Sequence, residues 1–524
     1  MMNATRLINV SNRLPIVIDK DGEDLKLQRA SGGLATAVEA MWKGRAGIWV
    51  GWSGIDDDPR LPEVLAQASR ERQYQMRSVS LTAEEISKFY NGFANEIIWP
   101  LFHDLPSPCN FDPSYWEAYQ HVNGKFAQAV ADLADPKDVV WVHDYHLMLV
   151  AKQARQLNVK SRMGFFLHIP FPAPDVFEKL PWREAVLRGL LAFDLVGFQT
   201  DRDRNNFSRC LEKLIPEARV ESRAWQQVVW NRGKPVVAGT YPISIDYNGF
   251  DAPARRPEVA HRAANIRNSV PGKWLMLGVD RLDYTKGIPE RLRAFRLALE
   301  QHPELRQQIT LVQVVVPSRS DIPKYKDLKQ EIERLVSGIN GEFTQPGWVP
   351  IHYLHRNLER DELVAYYCAA DIALITSLKD GMNLVAKEFC ASHVDEQGVL
   401  ILSEFAGAGP ELREGALLVN PNDFTQVANS LVQACQMSTA EKQRRMRAMR
   451  LVVKHHNVER WAASFLEALK PQSELLSAVA GKPVAAPKNP FRLLWDTGRF
   501  LMGKKAAGMR ETGPEALSNS RVVR

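Results

Sequence analysis

The sequence predicts an α/β protein made of two doubly wound domains that face each other across a cleft. Short apolar, β-branched runs alternate with helical patterns from end to end, and each run is continuously apolar, as in parallel strands covered on both faces. At 524 residues the chain exceeds what one hydrophobic core supports. The alternation also breaks into two blocks, 1–245 and 246–455. They join near Tyr241-Pro-Ile-Ser-Ile-Asp246, ahead of the polar, proline-containing stretch Asp251–Pro257.

In the first block the runs Leu7–Val10, Gly47–Val50, Val139–Val142, Met163–Leu167, Leu195–Phe198 and Val236–Thr240 read as strands. The second block offers Trp274–Val279, Ile309–Val316, Ile372–Ile375, Val399–Leu402 and Ala416–Val419. Helical patterns such as Pro289–Gln301 and Lys324–Val336 lie between them, which is the rhythm of parallel sheets. No repeat recurs at solenoid spacing. Residues 456–475 are expected to form a C-terminal helix that packs back on the first domain. From 476 to 524 the chain is rich in Ala, Pro, Gly and Lys and reads as a basic, mobile tail. Within it, Phe491–Met502 has a basic amphipathic pattern; disorder or docking on its own domain is preferred there over membrane contact.

Composition removes several classes of function. With 45% hydrophobic and 24% charged residues, the chain is of soluble globular type. The net charge of +6 is local: beyond Gly481 stand four Lys and five Arg against three acids, so the rest is balanced and nucleic acid is not expected as a partner. The five cysteines (Cys109, Cys210, Cys368, Cys390 and Cys435) are scattered and lack CxxC spacing, against a disulfide framework or a zinc site. No signal segment precedes the first strand, and no apolar stretch approaches bilayer-spanning length, so a cytoplasmic location is expected. The sequence leaves a homo-oligomer open.

The chemistry gathers where strands end. In open α/β sheets, ligands bind outside the carboxyl ends of the strands. There, Arg281-Leu-Asp-Tyr-Thr-Lys286-Gly offers two cations that can grip a diphosphate and stabilise the charge that develops as it leaves. A solvated charged loop is the plainer alternative. Asp380-Gly-Met-Asn383-Leu-Val-Ala-Lys-Glu388 offers carboxylates for sugar hydroxyls and fresh helix N-terminal amides. The alternatives are that Asp380 only caps that helix and that Glu388 is a surface residue paired with Lys387 or Lys379. In the first block, Ser11-Asn-Arg13 closes a strand and Ser31-Gly32-Gly33-Leu34 forms a turn that permits close backbone approach. His143-Asp144-Tyr-His146 and His168-Ile-Pro-Phe-Pro172 close two more strands and can orient hydroxyls or exchange protons. A zinc site from His143, His146 and His168 is disfavoured for want of fixed spacing. Arg319 is an anion ligand or a loop charge; Tyr90 and Trp99, on a helical stretch, are ligand contacts or core.

These motifs, with Gly197-Phe-Gln-Thr, resemble the trehalose-6-phosphate synthases, glycosyltransferase family 20, over residues 5–470. The resemblance implies a GT-B fold of two Rossmann-like domains with the active site between them. It implies transfer of glucose from a nucleotide sugar, usually UDP-glucose, to glucose 6-phosphate with retention at the anomeric carbon. On the donor side, Arg281 and Lys286 would bind the diphosphate, Glu388 the ribose, and the backbone of Leu384, Val385, Ala386, Lys387 and Glu388, with Asn383, would border the phosphates. Leu358 would read the base, Asp380 the glucose, and Gly32 and Gly33 would pack beside it. On the acceptor side, Arg13, Tyr90 and Arg319 would clasp the phosphate, with Trp99, Asp144 and His168 lining the reaction centre. The catalytic set would be Asp144, His168, Arg281, Lys286 and Asp380, with no metal and no cofactor besides the nucleotide-sugar co-substrate.

Two rivals remain at this stage. Glucosylglycerol-phosphate synthases share the donor motifs, and Leu180-Pro-Trp-Arg-Glu-Ala leans their way; the retained Arg319 and His146 favour the trehalose branch. A non-catalytic sugar-phosphate sensor would be expected to lose Arg281, Lys286, Asp380 and Glu388, all of which are present.

Overall fold

Seventeen strands build two large sheets and a hairpin in a computed structural model that describes residues 6–21, 24–29, 38–39, 42, 47–55, 58–72, 74–106, 109–223, 226–318 and 323–470. In the N-terminal half these are β1 (Leu7–Arg13), β2 (Ile16–Asp21), β3 (Asp24–Arg29), β4 (Gly47–Trp52), β5 (Tyr74–Ser78), β6 (Val139–His143), β7 (Arg162–Phe166), β8 (Leu195–Phe198), β9 (Ala218–Arg223), β10 (Gln226–Asn231) and β11 (Lys234–Thr240). The C-terminal half carries β12 (Trp274–Arg281), β13 (Ile309–Val316), β14 (Ile351–Leu354), β15 (Ile372–Ile375), β16 (Val399–Ser403) and β17 (Leu417–Val419).

The first sheet runs β5-β4-β1-β6-β7-β8-β11-β10-β9 and is parallel except around β10; the second, β14-β13-β12-β15-β16-β17, is parallel throughout. In both, the order doubles back next to the first strand of the half, β1 or β12, which is the switch point where open sheets bind ligands. The central strands are buried along nearly their whole length, as continuous apolar runs require.

Every strand expected from an apolar run is present. The runs did not reveal β2 and β3, β5, β9 and β10, or β14. For β5 and β14 the reason is burial: Tyr74–Ser78 alternates buried and exposed positions at a sheet edge, and Ile351–Leu354 is only half buried. The helix expected from Lys324 to Val336 runs on, spanning Pro323–Phe343.

The helix Val458–Ala468 follows the last element of the C-terminal half and lies on the N-terminal sheet. Phe465 stacks on Trp141 of β6 with ring centroids 4.4 Å apart and planes 7° from parallel; Trp461 lies 4.9 Å from the same ring. Gly164 and Gly197 permit this close seat, since a Cβ on either would stand 2.7 Å from Phe465. The chain also crosses between the halves at 241–247, and the crossings are tied where the Val458 amide donates to the Ile245 carbonyl (3.0 Å). The described residues belong to the unit Met1–Lys470; Phe491–Met502 and the rest of the 476–524 tail lie outside them.

Candidate active site

The loops after β12 and β15 are laced together by backbone. Asp283 caps the short turn Tyr284–Lys286 by accepting from the Thr285 amide (3.0 Å), and the Leu378 amide donates to the Thr285 carbonyl (2.9 Å). Gly287 then takes a left-handed conformation (φ 62°), where a Cβ would stand 2.4 Å from the Thr376 carbonyl, so glycine is required there. The result brings Lys286 Nζ to 2.6 Å from Asp380 Oδ2.

Both oxygens of Asp380 are engaged. One oxygen accepts from the amides of Met382 and Asn383 (3.1 Å each); the other takes Lys286 and the Asn383 side-chain amide (3.1 Å). Burial alone would raise its pKa, but the Lys286 ammonium and the Met382 amide outweigh that and hold the carboxyl below its usual range. Asp380 is therefore not merely the cap: Asn383, at φ 61°, caps the helix Leu384–Ser392 by accepting from the Ala386 amide (3.1 Å). Lys286 has three N–H donors and spends one on Asp380, so two remain for a ligand.

Glu388 is not a surface residue. Burial raises its pKa, and its Oε2 accepts the Tyr367 hydroxyl at 2.7 Å. Neither lysine considered as its partner is available: Lys379 pairs with Asp104, and Lys387 is buried with Nζ on the Ile243 carbonyl (2.8 Å) and Glu411 (2.6 Å). Lys387 thus contributes backbone at this helix start while its side chain serves the crossing between the halves. Leu384 and Ala386 are buried; Val385 and Leu358, the latter between β14 and the helix Arg360–Ala369, are half buried.

Opposite stand the strand ends of the first sheet. A register shift between Val10 and Arg13 turns the end of β1 outward, and the Ser11 hydroxyl, which accepts from Trp49 Nε1, donates to the Arg13 carbonyl (2.7 Å each). The Arg13 guanidinium lies over Trp52 (4.6 Å) against Gly54, open to the cleft yet walled by enough protein that its pKa falls below the usual arginine value. Tyr90 stacks on His146 (5.8 Å, 11°) and leans on Trp52. Trp99 sits under the Arg281 guanidinium (5.9 Å) and packs on His103 (4.3 Å). So both aromatic residues are core and cleft wall at once.

Asp144 adopts φ 75°, a conformation uncommon for a non-glycine residue, and its Oδ1 accepts the His168 amide at 3.3 Å. His168 meets the loop after β15 directly: a Cβ on Gly381 would stand 2.3 Å from the His168 carbonyl. His143 Nδ1 and His168 Nε2 are 3.0 Å apart, each using a ring nitrogen on the other, whereas His146 packs tilted on Tyr145 and stacks on Tyr90. The three histidines therefore do not converge, and among the described residues no group of three His, Cys, Asp or Glu side chains could hold a metal ion. Gly32, Gly33 and Arg319 lie outside the described residues.

One neighbour was not singled out in the sequence. His103 donates from Nδ1 to the Trp99 carbonyl (2.7 Å), and burial lowers its pKa to about 4, so it is neutral beside Asp283, Lys286 and Asp380. Its i, i+4 spacing from Trp99 was the available signal.

Two doubly wound halves, with cations and carboxylates at facing strand ends, define a GT-B glycosyltransferase. The comparisons narrow the class. The chain matches the model of glycosyltransferase family 20 over residues 5–471 and belongs to that family. It is 42% identical over 499 residues to the trehalose-6-phosphate synthase of Mycolicibacterium smegmatis, covering 94% of this chain and 96% of that one. The Escherichia coli enzyme bound with UDP-2-fluoro glucose superposes with a TM-score of 0.78 at 34% identity, covering 89% of this chain and 99% of that one. A Burkholderia xenovorans α,α-trehalose-phosphate synthase (UDP-forming) in complex with glucose-6-phosphate gives 0.80 at 34%, covering 89% and 100%.

Proposed function

We propose that the protein transfers glucose from UDP-glucose to glucose 6-phosphate with retention, releasing UDP and α,α-trehalose 6-phosphate. The observation that carries this reading is the Lys286–Asp380 pair, whose Gly381 neighbour lies against the His168 carbonyl of the other half, with Arg281 on the same loop as Lys286. The names of the relatives and the ligands of the solved neighbours support the same donor and acceptor.

Arg281 and Lys286 bind the donor diphosphate and take the charge that a divalent ion carries in other glycosyltransferases. Asp380 accepts from donor glucose hydroxyls, Glu388 holds the ribose, Leu358 reads the base by main chain, and the first amides of the helix Leu384–Ser392 border the phosphates. Arg13 and Tyr90, with Arg319, bind the acceptor phosphate, while Trp99, Asp144 and His168 position the acceptor.

As the bond from the anomeric carbon to the diphosphate oxygen breaks, the acceptor hydroxyl oxygen bonds to that carbon on the same face. Its proton passes to the departing phosphate. Catalysis is then positioning and charge stabilisation without a covalent carboxylate intermediate. A cytoplasmic location belongs to this proposal, supported by five cysteines that form no disulfide; among the described residues no helix is long and apolar enough to cross a membrane.

The test is nucleotide release with UDP-, ADP- and GDP-glucose crossed with glucose 6-phosphate and glycerol 3-phosphate. Turnover with UDP-glucose and glucose 6-phosphate is expected. Turnover with glycerol 3-phosphate alone, or donor binding without turnover, overturns the reading.

A further inference from the structure

His143, which the reaction as drawn does not use, closes β6 and is 1% exposed, as is His168. The two rings are joined by one hydrogen bond, His143 Nδ1 to His168 Nε2 at 3.0 Å. Their outer nitrogens, His143 Nε2 and His168 Nδ1, are buried and have no partner among the described residues. Around the pair stand Trp141 (4.8 Å from His143), Phe166 (4.6 Å from His168) and Trp461, 6.3 and 6.1 Å from the two rings. Burial lowers both pKa values, that of His143 to about 3, so each ring is neutral and carries one proton.

Two neutral imidazoles joined by one hydrogen bond have coupled polarity. If His143 donates from Nδ1, its Nε2 is bare and His168 must carry its proton on Nδ1. If His168 donates from Nε2, its Nδ1 is bare and His143 Nε2 carries an N–H. Either way one outer N–H lacks a protein partner. A buried N–H without an acceptor is rarer and costlier than a bare acceptor. The His168 backbone lies against Asp144 and Gly381, at the proposed reaction centre, whereas His143 packs on Trp141, so a bound sugar is an available acceptor only on the His168 side.

We propose that His143 is a positioning residue that fixes the ring and the proton of His168, so that His168 donates from Nδ1 to an oxygen of the bound sugars. This rests on the reading that His168 stands at the reaction centre. The pairing also explains why a second histidine closes β6 inside an aromatic core, where an apolar residue would pack without an unpaired nitrogen.

The experiment uses the full chain with His143→Leu, His143→Asn and His168→Ala, measuring UDP release from UDP-glucose and glucose 6-phosphate together with imidazole ¹⁵N NMR. In the unaltered protein His168 should show a protonated Nδ1 and a bare Nε2. His143→Leu should scramble that tautomer and lower kcat about tenfold, the size of one ordinary hydrogen bond, with less change in KM. His143→Asn, whose side-chain amide overlays Nδ1, should restore both. The proposal is overturned by His168 protonated on Nε2, by unchanged kcat and tautomer in His143→Leu, or by His143→Asn behaving like His143→Leu at equal thermal stability. Normal turnover in His168→Ala would instead remove His168 from the reaction centre, while the NMR still decides the pairing.

Discussion

Two ion pairs lie within a few residues of the carboxyl end of β12, and they do different work. Arg291 is 0% exposed and pairs with Asp280, the residue before Arg281. Its other donors go to Gln313 Oε1 (3.0 Å), Thr376 Oγ1 (3.1 Å) and the Lys286 carbonyl (3.5 Å). Four of its five N–H donors are thus spent inside the protein, and the fully buried guanidinium offers a ligand no exposed donor. Lys286 is 14% exposed, spends one donor on Asp380, and faces the other half of the molecule. A buried guanidinium with four donors taken up by the protein braces the loop, and an ammonium with donors in reserve is suited to meet a charged ligand. The planar fork suits the first task and the compact point charge the second.

The comparison breaks most visibly if the two pairs fail in the same way. Lys286→Ala, or Arg281→Ala, should lower kcat by about two to three orders of magnitude, as loss of preorganised charge stabilisation does, while the melting temperature stays close to that of the unaltered chain. UDP-release kinetics beside thermal unfolding check this, and near-normal turnover would remove these residues from the reaction. Arg291→Met should behave oppositely, costing about 3–5 kcal/mol of stability because Asp280 is left buried without its partner. Denaturant unfolding measures that loss, and an unchanged midpoint would show the pair to be idle.

A smaller effect tests whether closure of the halves matters. Gly381→Ala forces a Cβ against the His168 carbonyl and should lower kcat/KM about a hundredfold, the scale of a misplacement of about 1 Å, with little loss of stability. Equal kcat/KM would mean that this contact does not set the reacting geometry.

The smallest effect concerns Asp251, which ties the helix Asn248–Ala254 to Arg450 (2.6 Å) and Arg255 (2.8 Å). Burial would raise its pKa, but the hydrogen bonds from Arg255 and Arg450 bring it down to about 2 from 3.8. A depressed carboxyl stabilises the fold above its unfolded value and loses that contribution as pH falls from about 4 through 2. The stability gap between the unaltered chain and Asp251→Asn should therefore close over that window. A gap independent of pH would assign the effect to packing.

Much of the candidate site on the loops after β12 and β15 was legible because its signals are local. A glycine after Lys286, charges just beyond an apolar run, and Asp380 three residues ahead of a helix can each be read within a few positions. The residues expected on the acceptor side were less legible because those described come from three strand ends and a helical stretch, and their neighbours in sequence reveal little. Tyr90 and Trp99 look like core because they are core; that they also wall the cleft follows from Trp52, His146 and Arg281 standing where they do. Lys387 shows the converse: it sits inside the donor motif, yet its side chain turns to Ile243 and Glu411.

By itself the sequence determined the two-layered alternation, the central strands and the charged loops that close them, since continuous apolar runs and turn chemistry act over a few residues. The tertiary structure alone decided which charges meet. Lys286 and Asp380 are 94 positions apart and His143 and His168 are 25 apart, and only the sheet order brings their strand ends together. Edge strands, side-chain partners and the hydrogen bond between two buried histidines depend on what each group loses when water leaves, which is fixed only when the fold closes over it.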